Sequence, residues 1–480
     1  MVGINKLTVA LAFRACGALI LMGAALFTGV AIDFAPSFAW YDQHRIAQAS
    51  LLGATALGVL TGWRKSIVTS LEQLPGWVVV AFSSSFGLGL LSAIASTYPR
   101  FALLEWATLL LLLGLALLLA DQANKGKARF DIWSNRLVIS LAVVIALKIM
   151  TGYLAAMTAM VRLDTIMLFE GTFSNRRFFG QVASIIVPLL AYPLLRGGLS
   201  RSAQAALFLL LALWWMLVIV SGTRGTWMAL IVVAAVLALF AWRASVDWLR
   251  IQVCALGLGV LLFWTLFVWL PIWIGLGASL ENRLENLAAL SGREVLWSLA
   301  VALIQENPWV GIGPMHFAAV RNDFGAHPHN AVLQLAVEWG VPATLALLLP
   351  ATVGLLRLLD RLRQNVAAPN ALLVCLTASL LAASAQSLVD GVIVVPYTQT
   401  LLALTAGWAL GVYFRGTVVT PAILGSSLMR LSIFVLSLFA LAALFNGVIP
   451  EALNRPEVTQ MHVEAGVPIP ARYWGVGWIP

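Results

Sequence analysis

Charge is what this sequence has least of. Only 10% of its 480 residues are Asp, Glu, Lys or Arg, whereas 61% are hydrophobic. Soluble globular proteins carry about 25% charged residues. So few charges cannot cover a water-soluble surface of this size, which excludes a soluble multidomain enzyme. Cysteine is equally scarce. Cys16, Cys254 and Cys375 lie in apolar runs without CxxC spacing, so neither a disulfide scaffold nor a cysteine metal site is indicated. No GxxxxGK[ST] phosphate loop is present, leaving nucleotide hydrolysis unsupported, and no HExxH or carboxylate-rich outer motif suggests a metal. His316, His327 and His329 lack the i, i+4 arrangement and an obvious carboxylate partner for zinc. No metal and no cofactor are assigned. The formal charge of +9 is spread singly through loops without a continuous basic face, so no nucleic-acid partner is inferred.

What the chain has in abundance is apolar length. Stretches of about 20 apolar residues, each able to cross roughly 30 Å of hydrocarbon, recur near 8–30, 47–63, 76–96, 101–120, 137–160, 178–195, 203–221, 225–242, 251–276, 343–359, 371–389, 396–414 and 428–448. The 19 tryptophans suit bilayer interfaces. The expected fold class is all-α: a polytopic integral membrane protein of about 12–13 transmembrane helices with one large helical loop outside. The first apolar run is too long for a signal peptide and has no clear cleavage site, so it reads as a retained span.

Cations set the expected orientation. Sixteen Lys and Arg, from Lys6 to Arg430, fall in loops and span ends on the side of the N-terminus; six fall in short loops on the other side. The positive-inside rule therefore places the N-terminus inside and the C-terminus outside. All six outer cations are arginines: Arg45, Arg100, Arg162, Arg176, Arg177 and Arg224. Arginine offers a rigid donor fork suited to phosphate or carboxylate, so this bias favours an anionic ligand, with headgroup contact the reading for Arg45 and Arg100. Arg14 and Lys148 lie within spans and can snorkel.

Five regions follow: N-terminal transmembrane helices over 1–160, central helices with arginine-bearing outer turns over 161–276, a large outer loop over 277–342, C-terminal helices over 343–448, and a tail over 449–480. The loop contains its own helix. Ser291 can cap it, Glu294 completes a capping box, and Asn307-Pro308 ends it, with Val295, Leu296, Leu299, Ala302 and Leu303 on one face. The tail is short and Pro-rich, and no activity is assigned to it.

The strongest local signal is His327-Pro328-His329-Asn330. Pro328 keeps His327 extended, and Asn330 can cap a helix running to about Trp339, before Gly340 and Pro342. His329 then stands at the positive end of that helix, whose field favours the neutral imidazole a general base needs. Pro328 is expected to point the two imidazoles apart. Three arginine sites share the outer face: Arg224 in Ser221-Gly222-Thr223-Arg224-Gly225, Arg293 in the first turn of the loop helix, and Arg176-Arg177 before the sixth span.

His329-Asn330, nine residues and then Gly340 resembles the H-[N/S]-x9-G signature of the O-antigen ligase and O-antigen polymerase superfamily. The run SGREVLWSLAVALIQENPWVGIGPMHF resembles that family's G-R…W…P…G-x-G-P segment, and SGTRG its S-x-S/T-R-G turn. The resemblance spans about residues 165–412. It implies an inner-membrane glycosyltransferase, multi-pass, with its active site facing the periplasm, and it favours an O-antigen ligase. The donor would be an undecaprenyl-diphosphate-linked glycan and the acceptor a hydroxyl of lipid A–core, with membrane lipids as surroundings. The transfer would be inverting and independent of metal and ATP. His329 would be the base, supported by Asn330 and His327, and Arg224, Arg293, Arg176 and Arg177 would bind the diphosphate. A polymerase or a protein O-oligosaccharyltransferase of the same superfamily is the near alternative. A transporter or lipid flippase is the distant one; it would place functional charge near the midplane.

Overall fold

The computed structural model describes residues 6–165, 167–277, 292–364, 370–415, 426–464 and 471–480. Over these the chain is all-α, with no strand. Apolar runs in hydrocarbon must satisfy their own backbone polar groups, and the helix does so within one segment.

The first half comprises α1 (Lys6–Ala31), α2 (Trp40–Gly58), α3 (Arg64–Glu72), α4 (Gly76–Ala95), α5 (Pro99–Thr158), α6 (Met167–Phe173), α7 (Arg176–Leu190), α8 (Tyr192–Arg196) and α9 (Arg201–Ser221). The second half comprises α10 (Arg224–Phe263), α11 (Leu270–Trp273), α12 (Arg293–Glu306), α13 (Ala331–Trp339), α14 (Val341–Gln364), α15 (Ala371–Ser387), α16 (Pro396–Phe414) and α17 (Ser426–Glu464). Eight helices among the described residues are long and apolar enough to cross a membrane. Two of them are double. The backbone of α5 breaks at Lys127 (φ 42°, ψ −126°) and that of α10 at Ala241 (φ −140°, ψ 31°), each between two apolar halves. Each stretch read from hydropathy thus falls on a helix.

Large aromatics fill the core. Trp106, Trp214, Trp339 and Trp408 are all fully buried. Three of the indoles find acceptors: Trp408 donates to Asp131, Trp214 to the carbonyl of Ala142, and Trp106 to that of Phe86. Such pairing is what lets a tryptophan enter an apolar core without an orphaned N–H.

Three expectations need correction. Arg45 does not meet headgroups: it is 1% exposed, donates to Val394 O and Tyr473 O at 2.7 Å each, and lies over the Tyr473 ring. The chain end is no loose tail. α17 continues to Glu464, and residues 471–480 pack back on the helices, with Arg472 bonded to Glu105 of α5 at 2.7 Å and Glu338 of α13 at 2.6 Å. α12 begins at Arg293 behind Gly292, whose φ of 76° suits glycine; Ser291 lies outside the described residues, as do 278–290 of the outer loop. Its buried face is Leu296 and Ala300, with Leu299 and Leu303 beside them, while Val295 and Ala302 are exposed. Lys148 donates from Nζ to Val30 O, at the end of α1, at 2.9 Å and sits 3.3 Å from the Trp40 ring centre.

Candidate functional site

The histidine loop is built by its neighbours. Asn330 caps α13 by accepting from the N–H groups of Val332 and Leu333 at 3.0 and 3.1 Å. That extended cap forces a reversal just before it, which His329 supplies with a left-handed φ of 55°. Such a backbone costs a non-glycine residue of order 1–3 kcal/mol and clusters at functional sites. From α12, the indole of Trp297 donates to Pro328 O at 2.9 Å, fixing the loop against the helix that carries Arg293.

The turn at His329 also overturns the expected separation of the rings. His327 and His329 lie with ring centres 4.0 Å apart, and the His329 backbone N–H donates to His327 Nδ1 at 3.2 Å. His327 is 5% exposed and packs on Gly391, where a Cβ would come within 2.6 Å of its ring. Burial first, then the positive charges of His329, Arg472 and Arg177, hold the His327 pKa well below the usual histidine value. A neutral His327 with Nδ1 accepting carries its proton on Nε2.

Sequence reading missed a carboxylate. Asp390, in the turn after α15, places Oδ1 3.8 Å from His329 Nδ1, an ion-pair separation longer than a hydrogen bond. Asp390 also accepts from the Gly391 N–H at 2.8 Å. Its burial opposes ionisation, but attraction to His329, the Gly391 N–H and Arg177 outweighs it and lowers the Asp390 pKa. The carboxylate therefore stays charged.

A chain of hydrogen bonds runs from this turn to the arginine turn between α9 and α10. Gln386 Nε2 reaches Asp390 Oδ2 at 3.4 Å and Thr226 Oγ1 at 3.2 Å; Thr223 and Thr226 share a bond of 3.0 Å, as do Ser221 and Thr223. The two threonines press on Gly180 of α7, where a Cβ would lie 2.5 Å from either hydroxyl. The beginnings of α7 and α10 are thereby held side by side, and each opens with an arginine.

Arg293 lies within electrostatic reach of Asp390, Arg177 and Arg224. Arg293 is half-buried, and this burial, aided by the like charges of Arg177 and Arg224, lowers its pKa, while Asp390 opposes the shift. Arg177, His327, His329 and Asp390 line a cavity of about 320 Å³. Arg176, Arg224 and Arg293 are not among its lining residues. His316 stands apart from the other histidines: its Nε2 accepts from the Tyr98 N–H at 2.9 Å, and Nδ1 lies 2.9 Å from Pro314 O. No group of three or more potential metal ligands occurs among the described residues.

Arg177 beside a strained histidine and a charged carboxylate, with Arg224 and Arg293 in one electrostatic neighbourhood, can hold a polyanion while a proton is removed from a neighbouring hydroxyl. Residues 205–348 match the O-antigen ligase family model, a stretch that includes Arg224, Arg293, His327, His329 and Asn330 but neither Arg177 nor Asp390. No curated protein matches the chain.

Proposed function

From its assignment to the O-antigen ligase/polymerase superfamily, which the matched central third and the all-helical membrane architecture support, we propose that this chain is an O-antigen ligase. It transfers polysaccharide from an undecaprenyl diphosphate carrier to a sugar hydroxyl of lipid A–core. The observation that carries this reading is a cavity lined together by Arg177, His329 and Asp390, with Arg293 in the electrostatic field of Asp390, Arg177 and Arg224.

In this mechanism His329 takes the proton of the acceptor hydroxyl. The freed oxygen attacks the anomeric carbon opposite the diphosphate, the bond from that carbon to the diphosphate breaks, and the anomeric configuration inverts. The departing negative charge falls to the arginines, whose planar forks bind phosphate oxygens bidentately. Asp390 stabilises the imidazolium that forms, and the 3.8 Å gap closes to hydrogen-bond length when the acceptor is bound. His327, neutral and buried, accepts from the His329 backbone and holds the turn. Diphosphate leaves readily once its charge is neutralised, so positioning and electrostatics suffice without nucleotide or metal. The surplus of inner-loop cations orients the site towards the periplasm in the inner membrane.

Lipopolysaccharide from a deletion strain tests the reading on one gel. Loss of every polysaccharide-bearing band, with carrier-linked polymer accumulating, is the expected result. A core bearing one repeat unit would assign polymerase activity instead, and an unchanged ladder would contradict both.

A further inference from the structure

The cavity that His329 and Asp390 line is walled elsewhere by Asp42, Ser174, Phe178, Phe324 and Gly475. Resting on the transfer reading above, we infer that this cavity seats the acceptor sugar, and that Asp42 accepts a hydrogen bond from one of its hydroxyls. Asp42, in the first turn of α2, is 0% exposed. Its Oδ1 accepts from the Gly475 N–H at 2.6 Å, while Oδ2 has no hydrogen-bond partner among the described residues. Burial raises the Asp42 pKa, opposed by the Gly475 N–H and by the charges of Arg455 and Arg45, neither of which bonds to it. A buried carboxyl oxygen without a partner is costly, and a sugar hydroxyl can donate to it.

The other walls fit the same ligand. Phe178 and Phe324 offer apolar surface to the C–H face of a pyranose, and Ser174 a hydroxyl to its rim. The volume of about 320 Å³ lies near the lower end of the roughly 300–1,000 Å³ of ligand pockets, enough for a sugar ring rather than a polymer. Asp390, kept charged, opposes phosphate beside it, and the donor diphosphate meets the cavity at Arg177, the one arginine among its lining residues. The reacting hydroxyl must come within hydrogen-bond reach of its base, so a sugar in the cavity of His329 is the one being deprotonated. The end of the chain is then part of the acceptor site, because Gly475 holds Asp42 in place.

The test uses the full-length chain reconstituted with purified lipid A–core and undecaprenyl-diphosphate-linked glycan, each varied in turn. Asp42→Asn keeps the shape and removes the charge. It is expected to raise KM for lipid A–core about 10-fold or more, to change kcat by less, and to leave donor KM and the pH profile unaltered. Gly475→Ala is the second variant: its Cβ would come within 3.2 and 3.3 Å of the two Asp42 oxygens, displacing the carboxylate slightly. It should raise acceptor KM in the same direction by a smaller factor, and it carries the test if Asp42→Asn does not fold. A rise in donor KM alone would give Asp42 to the donor sugar and overturn the inference. So would unchanged KM values for both substrates. Absence of transfer by the unaltered chain would instead overturn the ligase reading itself.

Discussion

His329 and Asp390 face each other across 3.8 Å, one from the loop before α13 and the other from the turn after α15. The imidazole is 18% exposed and the carboxylate 6%, and both line the cavity. On the proposed reading, this pairs a proton acceptor with an orienting anion. Asp390→Asn should keep the shape of the turn and remove the charge that stabilises an imidazolium. We expect transfer to fall about 10²-fold or more, within the range for losing assistance to proton transfer, with donor binding intact. Transfer at the unaltered rate in reconstituted protein would leave Asp390 with a structural role only.

The arginines are distinguishable by geometry rather than charge. Arg224→Lys and Arg293→Lys keep the positive field but lose the bidentate fork, so both should weaken donor use sharply at normal protein levels. Arg177 lines the cavity and Arg176 does not, so Arg177→Lys should be the more damaging of that pair. Donor KM measured for the four variants decides this. Near-normal values for both Arg224→Lys and Arg293→Lys would reduce these residues to a generic positive field.

Arg472 ties the chain end to α5 and α13 through Glu105 and Glu338, with all three side chains almost fully buried. Replacing one member strands buried charge, which costs about 3–5 kcal/mol. Arg472→Met should therefore lower the thermal unfolding midpoint in detergent markedly. Adding Glu105→Gln and Glu338→Gln should recover part of the loss. A midpoint unmoved by Arg472→Met would show that the chain end contributes little to stability.

His327 sets a pH dependence of stability. Its folded pKa lies well below the unfolded value of about 6.5, so in between the unfolded chain binds the extra proton. Stability is then full above about pH 6.5 and falls as the pH drops towards the folded pKa. His316, also lowered by burial, acts in the same direction. His327→Gln should flatten the decline in unfolding midpoint between pH 7.5 and 5.5. An equally steep decline in the variant would exclude His327 as a source.

The local parts of this architecture were legible in the sequence. Apolar length marked the spans, and Asn330 and the Asn307-Pro308 pair marked helix ends, because those signals act within a few residues. Long-range partners were not. Asp390 is a lone carboxylate in an apolar turn, and nothing in its spacing links it to His329. Arg472 and Asp42 gain meaning only when residues 471–480 fold back on α2, α5 and α13. Pro328 suggested diverging imidazoles, but the left-handed backbone of His329 turned them together. Arg45 looked like a surface cation because topology counting cannot tell a loop arginine from one buried at the first turns of a helix.

The central claim is that His329 removes the acceptor proton, and His329→Ala measured by single-turnover transfer with donor binding in parallel tests it most directly. The expected result is a folded, inserted protein that binds undecaprenyl-diphosphate-linked glycan normally while the transfer step slows by about 10²–10⁴-fold. Loss of donor binding in step with transfer, or transfer at the unaltered rate, would contradict it.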